Sequence, residues 1–97
     1  MLTTRQRAAL RSMANSLEPI VHVGKGGLNE NLIRQADDAL QARELIKGTV
    51  LETSPMDAKE ALQALCEATR AEPVQAIGRR FVLYRMNREE PKIVLPK

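Results

Sequence analysis

Few residues of this chain could carry catalysis, because the side chains that most often do so occur only once each. His22 is the one histidine and Cys66 is the one cysteine among 97 residues. A structural zinc site needs four such ligands, and a Cys–His nucleophile pair needs a further group to orient the histidine. The sequence supplies neither set. We therefore expect no catalytic residue, no metal site and no cofactor.

Both of these residues have plain structural interpretations. Cys66 follows Leu65 in a predicted helix, where a buried and inert thiol is the better interpretation. His22 alternates with Val21 and Val23 in a predicted strand that runs into a glycine-rich segment. A phosphate contact and a structural role are equally good interpretations of this histidine.

The segment with the clearest chemical implication is Gly24-Lys25-Gly26-Gly27, between a predicted strand and a predicted helix that starts at Asn29. Three glycines in four positions let the backbone approach a ligand closely. The start of a helix adds unpaired N–H groups and the positive end of the dipole, which favour phosphate. The G-x-x-G spacing is that of the loop that clamps a nucleic-acid backbone in KH domains. A tight turn without a ligand explains the same residues equally well.

A nucleotide site is the main alternative use of these glycines. In a P-loop the lysine precedes Ser or Thr, whereas Lys25 precedes two glycines. A dinucleotide fingerprint needs a third glycine where Asn29 stands. We therefore expect no small-molecule substrate. A small nucleotide-binding module and a protein-interaction module stay as alternative functions.

Positive charge is concentrated at both ends of the sequence and the middle is acidic, with a net charge of +3. A fold that brings the ends together would present one basic face, which is the electrostatic signature of a polyanion partner. A solvated surface on which charges merely segregate is an equally good explanation. The basic residues that we assign to a nucleic-acid interface are Arg5, Arg7, Arg11, Lys25, Arg79, Arg80 and Arg85.

Hydrophobic periodicity predicts three helices and four strands that must position these residues. The predicted helices are 4–17, capped by Thr3 or Thr4, a second that starts at Asn29, and a third that starts at Ser54-Pro55 and ends at Pro73. The predicted strands are 20–23, 44–53, 74–78 and 81–85, of which the last two form a hairpin. Gly48 within the second strand indicates a bulge or a close backbone approach.

This order predicts an α/β fold, a two-layer αβαβαββ arrangement with a four-stranded mixed sheet. Two strand–helix–strand units imply parallel crossovers, and the hairpin makes one pairing antiparallel. Phe81 and Tyr84 alternate onto opposite faces of one strand, which argues against an aromatic stacking surface. We expect a single domain, 1–97, with a core at 1–85 and a basic tail at 86–97 that lacks a core pattern.

Composition limits the class of protein further. The chain is too short for a two-domain enzyme, and its longest apolar runs are far shorter than a membrane span. The N-terminus lacks the apolar stretch of a signal peptide, and a single cysteine fits a reducing compartment. We expect a cytoplasmic domain without a membrane partner.

Five motifs taken together resemble one known family: Leu2-Thr3-Thr4-Arg5-Gln6, Val23-Gly24-Lys25-Gly26-Gly27-Leu28, Glu44-Leu45-Ile46-Lys47, Ile77-Gly78-Arg79-Arg80-Phe81-Val82-Leu83-Tyr84-Arg85 and Lys92-Ile93-Val94-Leu95-Pro96. In this order they are similar to the bacterial single-domain CRM (chloroplast RNA splicing and ribosome maturation) proteins of the YhbY type. The departures from the pattern are Gly48, where a β-branched residue is expected, and Gly26, which makes the loop richer in glycine than the motif requires.

The resemblance implies a fold like that of the C-terminal domain of translation initiation factor three. It also implies RNA binding through the glycine loop and nearby basic residues, and association with precursors of the large ribosomal subunit. We therefore predict an RNA-binding protein that acts in ribosome assembly without catalysis, with ribosomal RNA as its partner.

Overall fold

Three helices and four strands follow one another in the order that the sequence predicts. The computed structural model describes residues 2–96, so Met1 and Lys97 of the predicted domain lie outside the described residues. The elements are α1 (Thr4–Ala14), β1 (Val21–Val23), α2 (Glu30–Arg43), β2 (Leu45–Val50), α3 (Ala58–Thr69), β3 (Glu72–Ile77) and β4 (Arg80–Tyr84).

The strands form one mixed sheet in the order β1-β2-β4-β3. β1 and β2 are parallel, while β4 pairs antiparallel with both β2 and β3. The prediction of a single antiparallel pairing is therefore wrong. The crossover through α3 joins β2 to β3, and these two strands run in the same direction. The hairpin strand β4 lies between them in the sheet. A strand so placed has two antiparallel neighbours.

The predicted α/β fold with a mixed four-stranded sheet is confirmed. Because both faces of the sheet are covered, the fold has one layer more than the two that were expected. Phe81 and Leu83 of β4 belong to the core cluster formed with α2 and α3. Val82 and Tyr84 belong to a second cluster on the opposite face, where α1 packs. Because β4 is a central strand with consecutive buried apolar residues, it needs cover on both sides.

The C-terminal segment 86–96, predicted as a basic tail that lacks a core pattern, packs two apolar side chains against the second cluster. Ile93 and Leu95 pack against this cluster, and Glu44 holds the backbone that leads to them. The fully buried Glu44 carboxylate accepts N–H groups of Asn87 (2.6 Å), Lys92 (2.6 Å) and Ile93 (2.7 Å).

Helix starts agree with the sequence at the first two helices and differ at the third. Thr3 and Asn29 cap α1 and α2, whereas Asp57 rather than Ser54 caps α3. Asp57 is the cap because it forms a reciprocal capping box with Glu60, which satisfies two backbone N–H groups. Within residues 2–96, no helix has the length and apolar character needed to cross a bilayer.

The prolines also differ from expectation, and Gly48 fits one of the two alternatives predicted for it. α1 ends at Ala14, before the predicted limit, and α3 ends at Thr69 with Arg70 in the left-handed region, before Pro73 is reached. Pro73 lies in edge strand β3, where the register shifts between Pro73 and Gln75; edge strands and bulges tolerate proline. β2 pairs without interruption at Gly48, which excludes the bulge and leaves the close approach, the other alternative predicted there.

Candidate nucleic-acid interface

Three connections meet at one end of the sheet, which we call the loop end: residues 24–27, 51–57 and 78–79. Their meeting follows from strand register, since Val23 pairs with Val50 while Thr49 and Ile77 both pair with Arg80. Backbone hydrogen bonds join the connections directly. The Leu51 N–H donates to the Val23 carbonyl, and the Val50 N–H donates to the Arg79 carbonyl, both at 2.8 Å.

The glycine loop is a tight turn whose tip is exposed. The Gly27 N–H donates to the Gly24 carbonyl at 3.0 Å, and Gly27 adopts a φ of +65°. Gly27 is buried against Pro55, where an added β-carbon would lie 3.5 Å from the proline Cγ. Gly26 has no positive φ and its nearest neighbour would be 4.0 Å away. Gly27 therefore fixes the backbone conformation of the turn, and Lys25 and Gly26 form its solvent-exposed tip.

Two helices begin at the loop end, because α2 and α3 each follow the end of a strand that points there. Asn29 caps α2 with a neutral side chain, whose oxygen accepts the Leu32 N–H at 2.9 Å. α3 is capped by the carboxylate of Asp57. A helix start carries partial positive charge, which the charged cap of α3 offsets locally. The start of α2, next to the glycine loop, is therefore the more favourable of the two for an anion.

Three basic residues lie at the loop end or next to it: Lys25 in the glycine loop, Arg79 in the hairpin turn and Arg80 at the start of β4. Lys25 and Arg80 are exposed and have no ion-pair partner among residues 2–96. Arg79 pairs with Glu52 at 3.3 Å, but both side chains are mostly exposed, so water screens the pair strongly. The loop end thus offers exposed positive charge, two helix starts and an exposed backbone tip, which together suit a phosphate chain.

The structure places Arg85, the predicted interface residue that directly follows β4, at the opposite end of the sheet. We call this the far end, where Leu45 pairs with Tyr84. The Arg85 guanidinium donates to the Asp37 carboxylate at 2.6 Å and to the Thr69 carbonyl at 2.8 Å. These bonds tie α2 and α3 to the end of β4, which is a structural task.

The α1 arginines lie on a helix that runs from the C-terminal segment to the middle of the sheet. The start of α1 lies beside the C-terminal segment, since Gln6 donates to the Pro96 carbonyl at 3.0 Å, and Arg5 is exposed in this first turn. Arg7 is half-buried and lines a groove beside α3 and β3, and Arg11 is half-buried in the last turn. The single basic face expected from sequence is therefore divided.

Neighbours of Arg80 were missed because they depend on sheet pairing. Thr49 and Ile77 lie directly beside it on β2 and β3, and Ile77 is 65% exposed. Thr49 and Ile77 can be identified as its neighbours only from the order of the strands in the sheet, and no sequence motif indicates that order. Phe81 and Tyr84 are buried on opposite faces, as predicted, so neither is available for base stacking.

Comparison with known proteins places this chain in a family. The model of the CRS1 / YhbY (CRM) domain matches residues 2–85. The chain is 47% identical over 96 residues to Probable RNA-binding protein YqeI of Bacillus subtilis, covering 99% of this chain and 100% of the relative. It is 38% identical to an RNA-binding protein of Haemophilus influenzae, covering 99% and 96% of the two chains.

A solved structure agrees in fold as well as in sequence. It is the solution structure of a hypothetical protein from Staphylococcus aureus described as a candidate RNA-binding protein. That protein has 51% sequence identity to this chain and a TM-score of 0.82, with 99% of this chain and 100% of the other covered. The family consists of RNA-binding domains and not of enzymes, which confirms the prediction that the protein is not an enzyme. The chain belongs to the CRS1 / YhbY (CRM) domain family.

Proposed function

We propose that this protein binds RNA through its loop end, with the glycine loop and the side chains of Lys25, Arg79 and Arg80 on the phosphate backbone. The observation that carries the proposal is the convergence of the exposed loop tip, three basic side chains and the start of α2 on one end of the sheet. The RNA-binding names of the relatives support the class of ligand.

Binding at this surface is mainly electrostatic. Phe81 and Tyr84 are both buried, and the basic residues are long and solvated. Contacts of this kind position a nucleic acid without reading its sequence. We leave Arg85 and Arg5 out of the interface, because the first is bound to Asp37 and Thr69 and the second lies by the far end.

The RNA that we propose is ribosomal RNA in precursors of the large ribosomal subunit, which the protein meets in the cytoplasm. The similarity to bacterial single-domain CRM proteins supports this assignment. It makes the protein an assembly factor without catalysis.

Crosslinking in cells tests the partner. The parent protein is compared with Lys25→Asp/Gly26→Asp, which puts two carboxylates at the loop tip, and with Met86→Asp/Arg88→Asp. The control variant makes the same charge change at exposed residues beyond the far end of β4. Ultraviolet crosslinking, sequencing of the attached RNA and gradient sedimentation are the measurements.

We expect the parent and the control to crosslink to large-subunit RNA and to sediment with its precursors, and the loop variant to do neither. Crosslinks to unrelated RNA would contradict the ribosomal assignment. A folded loop variant that crosslinks like the parent would contradict the assignment of the loop end.

A further inference from the structure

One row of side chains crosses the whole sheet next to the loop end. His22 pairs with Thr49, Thr49 pairs with Arg80, and Arg80 pairs with Ile77. Paired residues on neighbouring strands point to the same face of a sheet. We call these four residues the cross-sheet row. Neighbouring strands lie about 4.8 Å apart, so the row is about 14 Å long.

The row lies on the face that α1 covers, yet α1 does not reach it. Val82 and Tyr84, two and four positions after Arg80, are buried under α1 and the C-terminal segment. Lys47, two positions before Thr49, donates to the Ala14 carbonyl at 3.3 Å, which puts the last residue of α1 over the middle of the sheet. The cross-sheet row is the next rung and is left uncovered.

Exposure along the row is unusual for a sheet face with an apolar core beside it. His22 and Arg80 are exposed, Thr49 is half-buried, and Ile77 is 65% exposed. The Thr49 hydroxyl donates to the Arg79 carbonyl at 3.2 Å, so its oxygen can still accept a hydrogen bond. The row therefore combines an imidazole ring, a hydroxyl oxygen, a planar guanidinium and an apolar side chain.

We propose that the cross-sheet row binds unpaired nucleotides, so that the ligand is a single-stranded segment of RNA that runs from the glycine loop across the sheet. This rests on the function proposed above. Unpaired bases stack on imidazole rings and on guanidinium planes, and a four-stranded sheet has room for two or three of them. Ile77, at the end of the row opposite to His22, supplies apolar contact for a further base.

Charge favours RNA over a protein as the occupant. Arg80 lies within the row, and Lys25 and Arg79 lie at the adjoining loop end, with Glu52 the acidic side chain paired to Arg79. A chain of phosphates that follows the loop end brings its bases onto the row. A duplex would keep its base faces stacked inside, out of reach of His22 and Ile77.

The test compares single-stranded and duplex RNA of equal length. His22→Ser/Ile77→Ser changes no formal charge at pH 7 and alters two exposed side chains. Val94→Ser is the matched control, because Val94 is 90% exposed in the C-terminal segment. Affinities for a 12-nucleotide single strand and a 12-base-pair duplex are measured by fluorescence anisotropy. Methyl NMR of Ile77 in the parent protein, with and without the single strand, needs no variant.

We expect the double variant to bind the single strand about 5- to 30-fold more weakly, with duplex affinity and melting temperature unchanged. Val94→Ser should bind both like the parent, and the Ile77 methyl signal should shift with the single strand. An unchanged single-strand affinity, an equal loss for both RNAs, or an unmoved methyl signal would overturn the proposal. Weak, salt-independent binding of either RNA by the parent would instead refute the proposed function. If a captured protein covers the cross-sheet row and RNA does not, the row is the site of a protein partner. That result would also overturn the proposal.

Discussion

The ring of Phe81 lies against Gly48 so closely that a β-carbon added to Gly48 would stand 2.3 Å from the ring Cζ atom. The two residues pair across β2 and β4, and Phe81 is fully buried. The glycine is therefore needed for side-chain packing, while its strand stays regular.

Gly48→Ala should lower the free energy of unfolding by about 1–3 kcal/mol, because the new methyl group overlaps the ring and the core must shift. Gly26→Ala is the control, since its nearest neighbour would be 4.0 Å away, and should change stability by less than about 1 kcal/mol. Urea denaturation measures both. In Gly48→Ala/Phe81→Leu the two substitutions should cost less than their sum; additive costs would show that the ring is not the obstacle.

Glu44 should make stability depend on pH in the acid range. Burial acts to raise the pKa of this carboxyl, but the N–H donors of Asn87, Lys92 and Ile93, with the Lys92 charge, outweigh burial and hold the pKa below its ordinary value of 4.5. A pKa lower in the folded than in the unfolded protein stabilises the fold above the unfolded value. That contribution is lost as pH falls through the folded value.

We expect Glu44→Gln to lower the free energy of unfolding by about 2–4 kcal/mol at pH 7, because an amide puts a donor among backbone donors. The gap to the parent should narrow toward pH 3, where the parent carboxyl also becomes protonated. Glu89→Gln, at an exposed position, is the control. A gap of equal size at both values of pH would show that the charge of Glu44 is unimportant.

Cys66 should be unreactive in the folded protein. The thiol is 8% exposed, and burial, with the nearby charge of Glu72, raises its pKa to about 12. The thiolate is the reactive form, so at pH 8 labelling should require unfolding. The rate of modification by a disulfide reagent, measured across urea concentrations, should follow the unfolded fraction. Fast labelling in the absence of urea would show that the groove beside α3 and β3, which Cys66 lines together with Arg7, admits the reagent.

Arg85 should matter for stability and leave RNA binding intact. Arg85→Lys keeps the charge but cannot span the Asp37 carboxylate, the Asp37 carbonyl and the Thr69 carbonyl together. We expect a loss of about 1–3 kcal/mol in the free energy of unfolding and RNA affinity within twofold of the parent. A variant that is as stable as the parent but binds RNA more weakly would show that Arg85 belongs to the RNA interface.

The sequence predicts well what depends on neighbours along the chain. Local pattern narrows the cap of α1 to Thr3 or Thr4, predicts Asn29 as the cap of α2, and places the glycine loop between a strand and a helix. Asp57 was missed because Ser54 offers a competing start three residues earlier, and the reciprocal bond to Glu60 decides between them.

Long-range relations account for the rest. Glu44 bonds to residues 43 to 49 positions away, so no local pattern reveals that it holds the C-terminal segment. Arg80 and Arg85 are close in sequence, but β4 carries them to opposite ends of the sheet. The cross-sheet row exists only because β4 inserts between β2 and β3, which element order alone does not specify.

The central claim is that RNA binds at the loop end, and the salt dependence of binding tests it most directly. Lys25→Gln/Arg80→Gln removes two exposed charges there, and Arg43→Gln/Arg88→Gln removes two exposed charges from the end of α2 and from the C-terminal segment. The affinity of each protein for one single-stranded RNA is measured across salt concentrations, and the slope of log affinity against log salt counts the phosphate contacts. Each lost contact should make the slope shallower by about 0.7, so we predict a change of about 1.4 for the loop-end variant and none for the control. Equal slopes for the loop-end variant and the parent, or a larger change in the control, would contradict the account.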